Sequence, residues 1–392
     1  MRILFLAPQP FFEVRGTPLA VLHLVRALAA LGHDVDLLTF PQGEPVPMDG
    51  VRHLRSLRLP VGRVKAGPSL AKIALDVPFL AEAAWRLRFG GYDVVHAVEE
   101  AAHLIAPFAR LFGVPLVMDV DSSIPDQLRY SGFATRGPIL WVAGALERHA
   151  LREAAAVLTV CTTLTAGVRS RREGAPVFQI EDPPLTTHRR LPAGAEVDAL
   201  RRELSLSSRP VVLYSGNFEA YQGVDLLVEA AAELENVQVL LMGGEPQEIE
   251  RLRARALELG AAERCVFAGK RPPSQLPVFL AAASVLVSPR RKGTNTPFKL
   301  YTYLASDRPI VATRIESHTQ VLDESLAFLV DPTPGGVASG IRSALDHPED
   351  AGARAGRALA LVEREYSEER YREKVAAAYA AVEQLAGRAK RR

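Results

Sequence analysis

The sequence alternates short apolar runs with segments of helical periodicity, and this alternation occurs twice along its 392 residues. The run ILFLA, for example, precedes LAVLHLVRALAALGH, in which apolar residues recur at helical spacing up to Gly32. Short buried strands that alternate with helices form parallel sheets covered on both faces. The sequence therefore predicts an α/β fold. The expected strands are residues 3–7, 35–40, 94–97, 116–119, 156–161, 177–180, 211–215, 237–242, 265–268, 284–288, 310–313 and 327–330.

The pattern breaks once, near Pro183-Pro184, where prolines, threonines and basic side chains replace the alternation. Such a stretch is typical of a linker, and the chain is long enough for two domains. We expect two doubly wound domains at residues 1–185 and 186–366, followed by a helix and basic tail at 367–392. Ligands in such domains bind beyond the carboxyl ends of the strands.

The bulk composition is ordinary for a globular protein, with 48% hydrophobic and 23% charged residues. A net charge of +2 gives no indication of nucleic-acid binding. No stretch reaches the length of about 18 apolar residues that a transmembrane helix requires, and the opening MRILFLAP is too short for a signal-peptide core. Cys161 and Cys265 lie in apolar runs and are expected to be buried, without a disulfide or a metal. These features predict a cytoplasmic protein.

The segment SPRRKGTNTPFKLYTYLASDRPIVAT, residues 288–313, has the strongest functional pattern. It predicts a strand end, a loop, a helix that begins at Pro297, and a further strand. A helix start presents free backbone amides that bind phosphate, and a lysine in the first helical turn is disfavoured without an anion nearby. The segment therefore predicts a site for a phosphorylated ligand; the alternative is an ordinary connection with a solvated loop. The basic side chains around the loop are those of Arg290, Arg291, Lys292 and Lys299.

Five segments, in order along nearly the whole chain, resemble the retaining glycosyltransferases of the GT-B fold, in particular the glycosyltransferase group 1 family. They are PQPFFEVRGTPLAVLHLVRALAALGHDVDLLT, YDVVHAVEEA, LYSGNFEAYQGVDLLVEAAAEL, FAGKRPPSQLPVFLAAASVLVSP and PFKLYTYLASDRPIVAT. The resemblance implies two Rossmann-like, doubly wound parallel-sheet domains that face a central cleft and close around the ligand.

The resemblance also implies an activity. A hexose-like sugar would pass from a nucleotide diphosphate sugar, UDP- or GDP-linked, to a glycan, lipid-linked or small-molecule acceptor with retention of configuration. In such chemistry the sugar becomes oxocarbenium-like while negative charge builds on the diphosphate, which cations and backbone amides stabilise. Neither a metal nor a cofactor is required.

The matched positions imply a donor site mainly in the C-terminal domain and an acceptor site in the N-terminal domain. The expected donor-binding residues are Gly16, Gly216, Asn217, Gln222, Lys270, Arg290, Gly293, Thr294, Asn295, Thr296 and Thr302. The expected catalytic residues are Asp121, Glu99, Glu100 and Lys299. Structural alternatives are a turn cap for Asp121, first-turn helix acids for the two glutamates, and a solvated side chain for Lys270. His96, within VVHAV, is expected to be a core histidine.

At four matched positions the chain lacks the charged residue that is usual in the family. The two glutamates fall near Thr294 and on Thr302, and the arginine and lysine that pair with the diphosphate fall on Asn217 and Gln222. Either the basic loop replaces the missing charge in a divergent enzyme, or the chain is a catalytically inactive nucleotide-sugar or glycan binding protein. A Rossmann-type oxidoreductase is disfavoured, because no expected strand precedes a G-x-G-x-x-G motif.

One further stretch, residues 50–75, is basic and contains no acidic residue, and its apolar residues are interleaved with arginines as in VRHLRSLRLPVGRV. Such a surface can dock on anionic lipid, which would give peripheral contact with the inner face of the membrane. The alternative is a half-buried strand with solvated arginines, because apolar and polar residues partly alternate there.

Overall fold

The structure is a computed structural model, and the residues that it describes are 1–13, 15–61, 70–130, 137–172, 174 and 176–389. They form two compact units, each built around one parallel sheet. The first unit comprises Met1–Glu181 and Glu369–Arg392, and the second comprises Asp182–Glu368. The sequence had suggested boundaries at 185/186 and 366/367, with the last segment set apart.

The first unit has a seven-stranded sheet. Its strands are β1 (Arg2–Ala7), β2 (Asp34–Thr39), β3 (Val51–Arg55), β4 (Val94–Val98), β5 (Leu116–Val120), β6 (Ala154–Thr159) and β7 (Val177–Gln179). They lie in the order β3-β2-β1-β4-β5-β6-β7, and all neighbouring pairs are parallel. Its helices up to the linker are α1 (Gly16–Ala30), α2 (Leu70–Phe89), α3 (Glu100–Phe112), α4 (Ile124–Tyr130), α5 (Pro138–Glu153) and α6 (Thr162–Arg171).

Side-chain alternation along β1 builds two cores, one on each face of the sheet. Ile3 and Phe5 cluster with the buried side of α1. Leu4 and Leu6 cluster instead with the buried sides of α2, α3 and α5. The helices α2, α3 and α5 therefore form one layer, on the face of the sheet opposite to α1.

The second unit repeats the pattern with six strands. They are β8 (Val211–Ser215), β9 (Gln238–Met242), β10 (Cys265–Gly269), β11 (Val285–Ser288), β12 (Ile310–Thr313) and β13 (Phe328–Val330), in the order β10-β9-β8-β11-β12-β13. The helices are α7 (Ala195–Glu203), α8 (Val224–Ala232), α9 (Pro246–Glu258), α10 (Leu276–Ala282), α11 (Phe298–Leu304), α12 (Glu316–Thr319), α13 (Pro334–Asp346) and α14 (Pro348–Leu361). All neighbouring strands are again parallel.

The last helix, α15 (Glu368–Ala389), returns to the first unit. Tyr371, Val375 and Tyr379 are buried in the same core cluster as Ile3 and Phe5. This packing explains why the end of the chain belongs to the unit in which the chain begins.

Every strand expected from the sequence is present, and no strand end differs by more than two residues from its expected position. The structure adds β3, which confirms the half-buried strand that the sequence offered as one interpretation of the basic stretch. Both cysteines are buried, as expected. None of the helices in the described part of the chain is long and apolar enough to span a membrane.

Candidate functional site

Each sheet has one point at which its strand order reverses, between β1 and β4 in the first unit and between β8 and β11 in the second. The connections from such neighbouring strands leave in opposite directions, so a crevice opens beyond their carboxyl ends. Most of the predicted site residues follow one of these four strands or lie in the turns next to them. The topology therefore places the predicted donor and acceptor residues at the two points where a ligand is expected.

The turn after β8 brings two backbones into close contact. Gly216 has φ +140° and Gly243, after β9, has φ +125°. A Cβ atom on Gly243 would lie only 1.9 Å from the carbonyl oxygen of Gly216, so a side chain there cannot be accommodated. The two glycines therefore allow the turns after β8 and β9 to pack directly against each other.

Lys299 fills part of the space beside that turn. Its helix, α11, has seven residues and begins at Phe298, one residue later than expected, with Pro297 as the N-cap. The residue is half-buried, but its Nζ is shielded from solvent and lies 3.8 Å from the ring centroid of Tyr214. It has no hydrogen-bond partner among the residues that the structure describes. Burial, and then the charge of Arg290, hold the pKa of Lys299 well below its ordinary value.

Arg290 holds the loop together from inside. Its guanidinium donates to the carbonyl oxygen of Lys292 at 3.0 Å and to the carbonyl and side-chain oxygens of Asn295 at 2.8 and 3.0 Å. Gly293 is required for this arrangement, because its φ is +147° and a Cβ would lie 2.3 Å from an Arg290 nitrogen. The contacts seen for Arg290 are therefore those of a residue that shapes the loop.

Two other basic side chains near the site are paired with acids. The Nη2 atom of Arg291 lies 2.7 Å from Asp225 Oδ2, and the Nζ atom of Lys270 lies 2.5 Å from Glu245 Oε1. Both pairs are partly or largely exposed. Both side chains therefore have a carboxylate partner, whereas none is seen for Lys299 among the described residues.

The other predicted donor-binding residues differ in whether their polar atoms have hydrogen-bond partners within the described structure. Thr296 Oγ1 and Gln222 Oε1 are buried and find no hydrogen-bond partner in the described part of the chain. The carbonyl oxygen of Asn217 accepts from the Tyr214 hydroxyl at 2.6 Å, and that of Thr294 accepts from Gln320 at 2.7 Å. The site thus combines the buried amino group of Lys299 with two side-chain oxygens that have no hydrogen-bond partner among the described residues.

Thr302 has a visible structural contact. It is buried, and its Oγ1 accepts a hydrogen bond from the backbone N–H of Leu185 at 3.0 Å. Leu185 lies in the linker that the prolines predicted, so this bond ties α11 to the beginning of the second unit. A contact between Thr302 and a ligand stays a prediction.

Sequence reasoning missed His318, which joins the ends of β11 and β12. Its Nε2 lies 2.9 Å from the Ser288 hydroxyl, and its Nδ1 lies 2.7 Å from the carbonyl oxygen of Thr313. Burial lowers its pKa to about 3, so the ring is neutral and Nδ1–H donates to that carbonyl. The Thr313 hydroxyl in turn donates to the carbonyl oxygen of Arg290. Only its position just after a predicted strand could have pointed to His318.

In the first unit, Gly16 opens α1 and Glu99 precedes α3. Glu99 has a positive φ of 50°, which is uncommon for a residue with a side chain and frequent at functional sites. The Ser122 hydroxyl donates to Glu99 Oε1 at 3.2 Å. The structure therefore brings Glu99 to the loop that contains Asp121, as expected for residues at the ends of the neighbouring strands β4 and β5.

Glu100 forms an ion pair with Lys72 of α2. Burial opposes the charge of Lys72, but the carboxylates of Glu100 and Glu99 outweigh it and raise the pKa of that lysine. Burial, and then the charge of Glu100, raise the pKa of Asp76 to about 7. Sequence reasoning counted Lys72 only within the basic stretch and assigned Asp76 to no site; their spacing of four residues on one helix was the available signal.

His96 is fully buried, as expected for a core histidine. Its Nδ1 lies 2.7 Å from the Tyr379 hydroxyl of α15, and its Nε2 lies 3.2 Å from Asp119 Oδ2. The ring stacks on Phe5 with centroids 4.1 Å apart. This network ties the last helix to the centre of the sheet.

Comparison with known proteins agrees with this architecture. Residues 209–347 match the family described as Glycosyl transferases group 1, and residues 15–181 match the Glycosyl transferase 4-like domain. The 2-deoxystreptamine glucosyltransferase of Streptomyces kanamyceticus is 30% identical over 289 residues, which are 69% of this chain and 73% of that protein. The chain belongs to the glycosyltransferase group 1 family.

Solved structures of other proteins show the same fold as this glycosyltransferase. Sucrose-phosphate synthase from Thermosynechococcus elongatus has a TM-score of 0.81 and 22% identity, covering 98% of this chain and 99% of that one. The Anabaena protein Alr3699/HepE, in complex with UDP-glucose, has a TM-score of 0.77 and 17% identity, covering 97% and 100%. These likenesses confirm the predicted GT-B class, with two Rossmann-like parallel-sheet domains.

Proposed function

We propose that the protein transfers a sugar from a nucleotide diphosphate sugar to an acceptor with retention of configuration, and that Lys299 binds the diphosphate. The observation that carries this proposal is the Nζ atom of Lys299, which is shielded from water and lacks a hydrogen-bond partner among the described residues. A buried cation without a partner is costly for a folded protein. A diphosphate oxygen would supply the missing partner, and a charge-assisted hydrogen bond to it would contribute about 1.5–3 kcal/mol.

The surroundings of Lys299 suit that role. Gly216 leaves the end of β8 open, and a Cβ there would lie only 3.0 Å from the Nζ atom. Thr296 and Gln222 have buried oxygens without partners among the residues that the structure describes, and a ribose or sugar hydroxyl could satisfy them. As the glycosidic bond breaks, negative charge grows on the leaving diphosphate, and a fixed cation stabilises that state more than the ground state. Lys299 would thereby compensate for the uncharged Asn217 and Gln222.

The acceptor would bind at the carboxyl ends of β4 and β5 in the first unit. Glu99 accepts a hydrogen bond from Ser122 and lies beside the loop that carries Asp121, and in this proposal the two carboxylates orient an acceptor hydroxyl. Glu100 is engaged with Lys72, and we therefore assign it a positioning role. For the donor we propose a UDP- or GDP-linked sugar; UDP-glucose is bound by the Anabaena protein of the same fold. The acceptor would be a glycan, a lipid-linked sugar or a small molecule.

Thermal unfolding with UDP, GDP, ADP and dTDP, each at millimolar concentration, tests the donor site first. A ligand present at about 100 times its dissociation constant stabilises the folded state by about 2.7 kcal/mol. We expect a shift with one nucleotide, and a much smaller shift for the same nucleotide with the variant Lys299→Met. No shift with any nucleotide would refute the proposed donor site.

Incubation with the matching nucleotide sugar and a panel of acceptors then tests turnover. We expect nucleotide release that depends on the acceptor, and a product whose anomeric configuration, read by NMR, is that of the donor. An inverted product would refute retention. Binding without any turnover would instead favour the inactive binding protein.

A further inference from the structure

Both tryptophans of the chain are exposed on helices of the same unit. Trp85 of α2 is 61% exposed and Trp141 of α5 is 70% exposed. Large aromatic side chains are usually well covered in a folded protein, and a cluster of exposed ones marks an interaction surface. The exposure of both tryptophans therefore indicates that a binding partner covers them.

The rest of α2 continues this surface. Ile73, Val77, Trp85 and Phe89 are all exposed and are spaced by multiples of four residues, so they line one side of the helix. The other side of α2, at Leu75 for example, is buried in the core of the unit. The helix consequently has two apolar sides, and the described part of the chain covers only one of them.

Helix α3 lies between α2 and α5 and contacts both, and all three cover the same face of the sheet. Their outward sides consequently form one continuous surface, to which α3 adds Leu111, 73% exposed. We call this surface the tryptophan face, defined by Ile73, Val77, Trp85, Phe89, Leu111 and Trp141.

The charges around the tryptophan face have one sign. Among the described side chains of α2, α3 and α5, the exposed charged ones are all arginines. The glutamates of these helices are not exposed, and each lies in an ion pair, as Glu82 does with Arg86 and Glu153 with Arg110. The exposed arginines are Arg88, Arg110, Arg148 and Arg152.

From this arrangement we infer that the tryptophan face docks peripherally on a membrane rich in anionic phospholipid. Tryptophan rings favour the depth of the lipid headgroups, and arginines can extend from an apolar surface to the phosphates. A second copy of the chain fits less well, because pairing this face with itself would bring arginines together without an opposing acid. The inference is independent of the reaction proposed above.

The docking surface is different from the one that the sequence suggested. Within the basic stretch, Arg52 is paired with Asp36, and Arg55 donates to the carbonyl oxygens of Pro41 and Phe11. Arg63 and Lys65 lie outside the described residues. The lipid contact inferred here involves the outer sides of α2, α3 and α5, whereas a contact through the basic stretch stays a prediction.

Tryptophan fluorescence tests the inference directly, because the only two tryptophans of the sequence lie on the face in question. The full-length protein is titrated with vesicles of phosphatidylcholine alone, and with vesicles of equimolar phosphatidylcholine and phosphatidylglycerol. We expect a blue shift of the emission and co-sedimentation with the anionic vesicles only, both weakened by high salt. No blue shift, or equal binding to neutral vesicles, would overturn the inference.

Substitutions then locate the surface. Val77→Asp keeps both tryptophans and should weaken vesicle binding by about tenfold or more, since a carboxylate is costly at the lipid boundary and repels anionic headgroups. Arg148→Gln should weaken binding by about fivefold, as expected for one charge. Leu257→Asp is the matched control, because Leu257 is 71% exposed on α9 of the second unit.

The thermal midpoint of each variant verifies that it is folded. Equal loss of vesicle binding in folded Val77→Asp and Leu257→Asp would overturn the assignment to the tryptophan face. So would a dimer that forms without vesicles and is abolished by Val77→Asp, since a second copy would then cover this surface.

Discussion

The two sites at which the strand order reverses differ in how their charged side chains are paired. In the second unit, the ammonium of Lys299 is buried against the ring of Tyr214, and the described residues offer it no hydrogen-bond acceptor. In the first unit, Lys72 is held by Glu100, and Glu99 is hydrogen-bonded to Ser122. One site therefore holds a cation without an anion, whereas the other holds a network whose charges are largely matched.

This difference indicates which ligand each site can take. A protein gains nothing in stability from a buried cation without a partner, so such a group is typical of a site that binds an anion. A matched network fixes the directions of its side chains without attracting a strong charge, which suits the orientation of a neutral hydroxyl. The contrast supports assigning the diphosphate to the second unit and the acceptor to the first.

Substitution of Lys299 is the strongest test of this contrast between the two sites. Lys299→Met should weaken binding of the nucleotide diphosphate by roughly 10- to 100-fold, because a buried charge-assisted hydrogen bond is lost. The thermal midpoint of the free protein should stay the same or rise, since the buried charge disappears. Calorimetric titration and thermal unfolding measure the two effects.

The exposed Lys292 of the same loop provides the control for that experiment. Lys292→Met removes an equal charge and should change affinity by no more than about threefold, because an exposed charge is screened. Equal losses in the two variants would mean that the loop acts only through its general positive potential. A fall in the midpoint of the Lys299 variant would mean that this lysine stabilises the fold.

The loop of residues 290–296, which we assign to the donor site, can be distorted without changing any charge. Gly293→Ala would place a methyl group against the guanidinium of Arg290 at a backbone conformation that favours glycine. We expect a loss of about 1–3 kcal/mol, divided between stability and nucleotide affinity. Gly356→Ala, at an open position of α14, is the control and should stabilise by about 0.5–1 kcal/mol. Unchanged affinity in the Gly293 variant would exclude this loop from the donor site.

The matched network of the first unit predicts a pH dependence. Burial raises the pKa of Asp76 from 3.8 to about 7, so between these values the folded state binds more protons than the unfolded state. Stability must therefore fall as pH rises through this window. Asp76→Asn stays neutral, and it should be more stable than the wild type by on the order of 1–3 kcal/mol at pH 8, with no gain near pH 4.

Thermal midpoints between pH 4 and pH 8 measure this difference. Glu82→Gln is the control on the same helix, because Glu82 is paired with Arg86 near the surface, and its effect should stay below about 1 kcal/mol. A gain for Asp76→Asn that is constant with pH would show that Asp76 is ionised throughout.

The fold was predictable because its signals are local. The expected strands are three to six residues long and mostly apolar, and the helices between strands show their own periodicity, so the twelve expected strands and their parallel arrangement follow from the sequence. Lys299 was predictable for a similar reason: a cation in the first turn of a helix conflicts with the helix dipole. In both cases the relevant neighbours lie within a few positions along the chain.

The parts that were not predictable depend on contacts between distant segments. Helix α2 packs beside α3 and thereby brings Lys72 to Glu100. This contact depends on how the helices are arranged in their layer, and no local pattern in either helix predicts it. The same holds for α15, which binds His96 through Tyr379 from 283 positions away along the chain. The hydrogen bonds from the Arg290 guanidinium to the carbonyl oxygens of its own loop were likewise not predicted, and its contact with the ligand stays a prediction.

The smallest expected effect is that of a substitution at Thr302, which tests whether its hydroxyl faces the ligand or the linker. Thr302→Val keeps the shape but removes the oxygen that accepts the Leu185 N–H, so it should cost about 1 kcal/mol of stability. If the hydroxyl serves only to bind the linker, nucleotide affinity should remain within about twofold of the wild type. Thr302→Ser, which retains the hydroxyl, should recover most of the stability. A clear loss of affinity in the valine variant that serine restores would instead place the Thr302 hydroxyl in the donor site, where the family has its glutamate.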